Sequence, residues 1–254
     1  MATLERGGVK IFYEIAGKGP TVLLSHGYSA TTAMWRAQVD DLARDHQVIV
    51  WDMRGHGESD SPSDASAYSE SATVADMAAL LDAADCRRAV IGGLSLGGYM
   101  SLAFHLAHPE RTRALMLFDT GPGYRNDTAR ADWNRTAGAR AEQLEQRGLD
   151  AVGRSSEVAL SRHRSAQGLA HAARGMLAQV DARIIDHLPD VRVPTLVLVG
   201  ERDKPYLAAT DYMARKIPGA SKVIVPGAGH ASNLDQPAAF NAIVRDFLVT
   251  IKDL

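Results

Sequence analysis

The 254-residue sequence predicts an α/β fold, a mostly parallel central sheet with helices on both faces. Three observations carry that expectation: short, near-continuous apolar runs recur, most are followed by a segment with helical spacing, and turn-forming residues punctuate the series. Val9–Ile15 (VKIFYEI) and Thr21–Ser25 (TVLLS) read as early strands separated by the turn GKGP. Gln47–Trp51, Ala89–Leu94, Ala114–Phe118, Thr195–Val199 and Lys222–Val225 follow, each with the β-branched or leucine-rich character of a strand covered on both faces. Between them, Ala33–Ala43 places Met34, Val39 and Leu42 on one face, and Ser71–Ala84 spaces Val74, Met77, Leu80 and Leu81 by three and four. Leu96–Ala107 follows a strand directly, and Pro237–Leu248 opens with proline at a first helical position.

One region breaks this rhythm. From Gly121 to Pro189 no strand pattern occurs, and the composition turns to Ala, Arg, Glu and Gln. Asp127–Gln146 and Ala166–His187 read as helices, with Gly148 and Gly153 as punctuation. The expected organisation is a core formed by residues 1–120 and 190–254, with residues 121–189 a helical cap inserted after the sixth core strand, which ends at Phe118.

Composition narrows the partners. A formal charge of −2 with no basic cluster argues against a platform for nucleic acid or anionic membrane. No apolar run approaches the roughly 18 residues a membrane span needs, and MATLERGGVK has no signal-peptide pattern. Cys86 is alone, so no internal disulfide forms, and the cytoplasm is the expected compartment. No H-E-x-x-H or comparable spacing occurs, so neither a metal nor a cofactor is expected. The expected partner is a small molecule.

The strongest chemical signal is Gly93-Leu94-Ser95-Leu96-Gly97, a G-x-S-x-G pattern between a strand and a helix. Such a turn lifts the serine hydroxyl off the sheet and aims the N-terminus of the next helix at it. A hydroxyl needs a base at neutral pH. His230, in PGAGH between the last strand and the final helix, can fold back over the C-terminal edge of the sheet. Asp203, in GERD after the TLVLV strand, is the expected acid that orients it; Asp119, at the end of ALMLF, is its rival. Ser95, Asp203, His230 is also the chain order associated with this motif.

Acyl transfer further needs donors for a developing oxyanion. The backbone N–H groups of Tyr28, in SHGY, and of Leu96 are the natural pair, and the Tyr28 side chain should point into the substrate pocket. His26 and His56 read as structural, with WDMRGHGES built by its glycines and an Asp52–Arg54 interaction. His105 and His108 read as surface residues complementing a helix dipole. Tyr124 and Trp133 are the aromatic residues of the inserted region, and Trp133 is expected to touch substrate.

LLSHGYS, WDMRGHGESD, GLSLGGYMSLAFHLAHPERTRALMLFDT, VPTLVLVGERD and PGAGHASNLDQP together resemble the α/β-hydrolase superfamily, in particular its small esterase and enol-lactonase-like members. The resemblance covers the chain outside the insertion. It implies Ser95 as acylated nucleophile, His230 as base, Asp203 as acid, oxyanion donors at Tyr28 and Leu96, and a mobile helical cap. Serine rather than aspartate at residue 95 argues against dehalogenase and epoxide-hydrolase chemistry. It implies hydrolysis of a carboxylic ester or lactone; carbon–carbon hydrolysis, perhydrolysis, acyl transfer or a non-catalytic receptor would use the same framework. Between Tyr124 and Leu188 stand ten arginines, no lysine and eight acids, a surplus too small to demand an anionic ligand, so a neutral ester or lactone is expected.

Overall fold

A computed structural model describes residues 2–251. Eight strands form one sheet: β1 (Ala2–Arg6), β2 (Val9–Ala16), β3 (Thr21–Ser25), β4 (Gln47–Trp51), β5 (Ala89–Leu94), β6 (Thr112–Phe118), β7 (Thr195–Gly200) and β8 (Ser221–Val225). Their spatial order is β1-β2-β4-β3-β5-β6-β7-β8; the β1–β2 and β2–β4 pairings are antiparallel and the others parallel. Alternate residues of the central strands enter two separate cores. Leu23, Ile49, Ile91 and Leu117 face one side, and Val22, Val48, Val90 and Met116 the other. That is why each run is apolar throughout instead of alternating.

Helices α1 (Arg36–Leu42), α2 (Glu70–Ala83) and α3 (Leu96–Ala107) lie where the apolar spacing puts them, and Met34, Val39, Val74, Met77, Leu80 and Leu81 are buried as expected. Between β6 and β7 come α4 (Asp127–Arg147), α5 (Ser156–Ala159), α6 (Ala166–Ala172) and α7 (Arg183–His187). After β7 come α8 (Lys204–Lys216), α9 (Ser232–Asp235) and α10 (Pro237–Thr250). Helices α1 and α10 cover one face of the sheet, and α2 and α3 the other.

Several expectations need correction. β1 carries no apolar run and is missing from the expected strands; it is a half-exposed edge strand, and counting it the strand ending at Phe118 is the sixth, the position expected for it. The segment Ala166–His187 is not one helix. It passes from α6 into a π-helical turn at Ala173–Leu177, then runs extended before α7. Gly175 explains the break: a Cβ there would meet Tyr68 O at 2.0 Å, so the chain bulges against the core. Arg54 does not pair with Asp52. Its guanidinium grips the buried Asp76 at 2.6 and 2.9 Å, while the Asp52 carboxylate accepts from Thr32 N–H and Glu58 N–H. His105 is buried, not exposed, and burial lowers its pKa to about 4.

The turn into α3 is closely packed. A Cβ on Gly97 would lie 2.1 Å from Ser25 O, and one on Gly93 2.4 Å from Gly97 C; both obstacles are backbone. Gly97→Ala should therefore cost about 3 kcal/mol through overpacking. Gly138, inside α4 with nothing within 4 Å of an added Cβ, should instead gain about 0.5–1 kcal/mol as alanine. Urea unfolding midpoints at unchanged m-value check both; equal midpoints for the two variants would contradict this packing account.

Candidate active site

The strand β5 ends at Leu94 and α3 begins at Leu96, so Ser95 alone makes the turn. It does so at φ 55° and ψ −115°, a conformation an L-residue adopts only when its surroundings impose it. Three contacts impose it: Ser95 N–H donates to Phe118 O at 2.9 Å, Gly98 N–H donates to Ser95 O at 3.0 Å, and the Thr120 hydroxyl donates to the same carbonyl at 2.6 Å. The Leu96 N–H, as the first amide of α3, has no acceptor within its helix.

The loop after β3 crosses over this turn. A Cβ on Gly27 would lie 3.5 Å from the Ser95 Cβ. Ala30 N–H closes the loop on Gly27 O at 3.0 Å. His26 is locked beneath it: Nδ1 donates to Gly27 O at 2.7 Å and Nε2 accepts from Met53 N–H at 2.9 Å. Both nitrogens are committed and burial lowers its pKa, so His26 is a neutral structural residue.

His230 and Asp203 are brought together by two loops that hydrogen-bond to each other. Glu201 N–H donates to Val225 O at 3.0 Å, Arg202 N–H to Ala228 O at 2.8 Å, and Gly227 N–H to Glu201 Oε2 at 2.8 Å. Gly200 leaves no room for a side chain, since a Cβ would meet Gly229 O at 2.1 Å. The outcome is a 2.8 Å hydrogen bond between His230 Nδ1 and Asp203 Oδ2, with Asp203 almost fully buried. Burial by itself would lower the His230 pKa, but the Asp203 hydrogen bond and charge, with the charges of Asp119 and Glu157, raise it above its ordinary 6.5.

Asp119 is occupied elsewhere. Its carboxylate accepts from Gly200 N–H at 2.7 Å and from the Ser232 hydroxyl. Burial pushes its pKa up to about 7, against the pull of those two bonds. It fastens β6 to β7 and to α9, and no His230 hydrogen bond reaches it among the described residues.

Beside Ser95 opens a cavity of about 400 Å³. Ser95, Leu96, Tyr124, Trp133, Tyr206 and Gln179 are among its walls, and no wall residue carries a charge among the described residues. Trp133 lines this cavity. Tyr28 does not: its side chain is absent from these walls, because its hydroxyl donates to Leu169 O at 2.9 Å and its ring lies edge-on to His56. The Tyr28 side chain is thus a tie between the core loop and α6, which corrects its expected place in the pocket.

Tyr206 was not anticipated. Its ring stacks on His230 with centroids 5.0 Å apart and planes 24° apart, and it lines the cavity together with Ser95. Burial raises its pKa, so it presents a neutral phenol. The available signal was Lys204-Pro205-Tyr206, a helix start with proline in its first turn, immediately after Asp203. Tyr99 of α3 and Tyr212 of α8 also line the cavity, and the sequence marks neither as a site residue.

A mostly parallel sheet, a serine at the strand-to-helix elbow and a paired histidine and aspartate on later loops define the α/β-hydrolase architecture. The chain belongs to the alpha/beta hydrolase family, whose model matches residues 22–243. Among solved structures it is similar to a thermophilic esterase from Thermogutta terrifontis, with 30% identity and a TM-score of 0.81 over 98% of this chain and 97% of that one. It is also similar to the enol-lactonase from Burkholderia xenovorans LB400, with 26% identity and a TM-score of 0.78 over 98% and 100%. A 2-hydroxy-6-oxo-2,4-heptadienoate hydrolase from Pseudomonas putida is 29% identical over 95% of this chain and 94% of its own length.

Proposed function

We propose that the protein is a serine hydrolase that cleaves a small neutral carboxylic ester or lactone through an acyl-enzyme on Ser95. The observation that carries this reading is the 2.8 Å His230–Asp203 pair, stacked under Tyr206, which lines the same cavity as Ser95. With its Nδ1 proton held by Asp203, His230 keeps Nε2 free to take the Ser95 proton as the hydroxyl attacks the carbonyl carbon. The oxyanion then accepts from the Tyr28 and Leu96 amides, at the N-terminus of α3. Collapse of the tetrahedral intermediate expels the alcohol, which takes the proton from His230. Water, deprotonated by the same imidazole, releases the acid and restores Ser95.

Residues 121–189 act as a cap that supplies Tyr124, Trp133 and Gln179 to the cavity, on a core of residues 1–120 and 190–254. The uncharged walls support a neutral substrate. Six of the ten arginines in this stretch are already ion-paired, among them Arg125 with Asp186, Arg174 with Glu145 and Arg183 with Glu70. Arg140 stands near enough to influence Tyr206 and Tyr28, but it is exposed and outside the cavity walls.

The test is steady-state turnover of p-nitrophenyl and aliphatic esters and of lactones, each compared with an analogue bearing a free carboxylate. Multiple turnover with a kcat/KM at least about tenfold higher for the neutral member is expected, since an anion would enter walls that hold no cation. Binding without turnover would point to a receptor instead. A preference for the charged analogue that fades with salt and is lost in Arg140→Ala would overturn the neutral-substrate choice.

A further inference from the structure

Several polar groups around the cavity are committed to the protein. The Tyr99 hydroxyl donates to Glu70 Oε2 at 3.1 Å, Trp133 Nε1–H to Leu177 O at 2.8 Å, and the Thr120 hydroxyl to Ser95 O at 2.6 Å. Those donors are therefore closed to a ligand, and the rings of Tyr99 and Trp133 serve as apolar wall.

Gln179 is different. It lines the cavity while only 8% exposed. Its backbone is clamped at both polar atoms by one side chain of α4: Gln179 N–H donates to Asn134 Oδ1 at 2.8 Å, and Gln179 O accepts from Asn134 Nδ2 at 2.9 Å. Its side-chain Oε1 accepts from Tyr124 N–H at 3.1 Å. An amide nitrogen cannot accept, so this bond settles which end of the carboxamide is oxygen and leaves Nε2 as the other arm. Gly123, at φ +87°, completes the cradle, because a Cβ there would come within 2.9 Å of Oε1. Among the described residues Nε2 meets no acceptor. Nε2 is thus a donor held in place and open to the cavity, where a ligand acceptor would pair with it and an apolar group would displace its water and leave it unpaired.

We infer that Gln179 is a specificity-determining residue whose Nε2–H group binds an uncharged oxygen acceptor, a ketone, ether or amide carbonyl, on the part of the substrate that fills the cavity. The inference rests on the proposed ester or lactone hydrolysis at Ser95 and adds a requirement to it: the substrate carries a second polar group away from the scissile carbonyl. A purely hydrocarbon chain would fill the same volume but leave the amide unpaired, and sites built around a hydrogen bond discriminate strongly against analogues lacking it.

The experiment is a series of esters in which an oxygen acceptor replaces a methylene at successive positions of the acyl chain, and a matching series in the alkoxy chain. Each is compared with its all-carbon isostere in the wild type and in Gln179→Met, a substitution of similar length with no donor. At one position at least, the wild type should prefer the acceptor by about tenfold in kcat/KM, and Gln179→Met should reduce that preference to near unity. Comparing ratios between enzymes cancels the effect of the acceptor on intrinsic ester reactivity. Ratios near one throughout the wild-type series overturn the inference, and this measurement does not depend on the variant folding. A preference that persists unchanged in folded Gln179→Met overturns it as well. Turnover that disappears in Ser95→Ala while the ratios stay flat refutes only the role of Gln179; turnover that survives in Ser95→Ala refutes the underlying reading and the inference together.

Discussion

Ser95→Ala is expected to lower kcat by roughly 10⁴–10⁶, because loss of a triad nucleophile leaves only binding and oxyanion stabilisation. The fold should be unaffected. Alanine inherits the same φ 55° and ψ −115°, the backbone bonds to Phe118, Gly98 and Thr120 do not involve the side chain, and only one hydroxyl is removed. Ser95→Gly gives a sharper view of the same point. Glycine adopts positive φ without penalty, so this variant should be equally inactive yet more stable than wild type by about 1–2 kcal/mol. An inactive variant that is also unfolded would leave a purely structural role for Ser95, whereas stable, inactive alanine and glycine forms assign it to the chemistry.

The second large effect separates the two acids. Asp203→Asn should lower kcat by about 10⁴, since an asparagine can present its amide to Nδ1 and favour the wrong imidazole tautomer. It should also move the acidic limb of the pH profile. In the wild type His230 titrates above 6.5 because of its Asp203 partner, so kcat/KM falls as pH drops through that raised value and the imidazole becomes protonated. With the partner charge removed, burial dominates and the limb should move to lower pH. Asp119→Asn should leave the limb closer to its wild-type position and act mainly on stability, through the contacts to Gly200 and Ser232. The assignment of the acids is wrong if Asp119→Asn, while folded, is the more damaging to kcat and shifts the limb further.

The sheet was legible because strands buried on both faces must be apolar at every position, as in TVLLS and TLVLVG. β1 was not, since Ala2–Arg6 lies at the edge and is half exposed, although Gly7 and Gly8, both at positive φ, make a two-residue hairpin turn that could have revealed it. The helix α8 escaped for a related reason: it buries little beyond Thr210 and Met213, so its apolar stripe is thin. The candidate residues Ser95, Asp203 and His230 stand out in the sequence because the turn, the strand ends and the glycines around them leave local marks. The cavity could not, because its walls come from α3, α4, the segment after the π-helical turn and α8, which only the folded chain places side by side. Gln179 illustrates the limit: its importance lies in three hydrogen bonds to Asn134 and Tyr124, distant in sequence and unmarked by any motif. The Tyr28 side chain failed in the opposite direction. Its position next to Gly27 suggested the pocket, but a carbonyl of α6 offered its hydroxyl a partner on the other side.

The central claim is that an acyl group is carried by Ser95 during turnover, and trapping that intermediate tests it most directly. An ester with a slowly hydrolysed acyl group is mixed with the enzyme, quenched in acid within the first turnover, digested and mapped by mass spectrometry. The expected result is a mass increase equal to the acyl group on the peptide containing Gly93–Gly97, absent in Ser95→Ala and formed far more slowly in Asp203→Asn. Acylation of a different residue, or full turnover with no adduct at any quench time and with Ser95→Ala retaining wild-type rates, would contradict it.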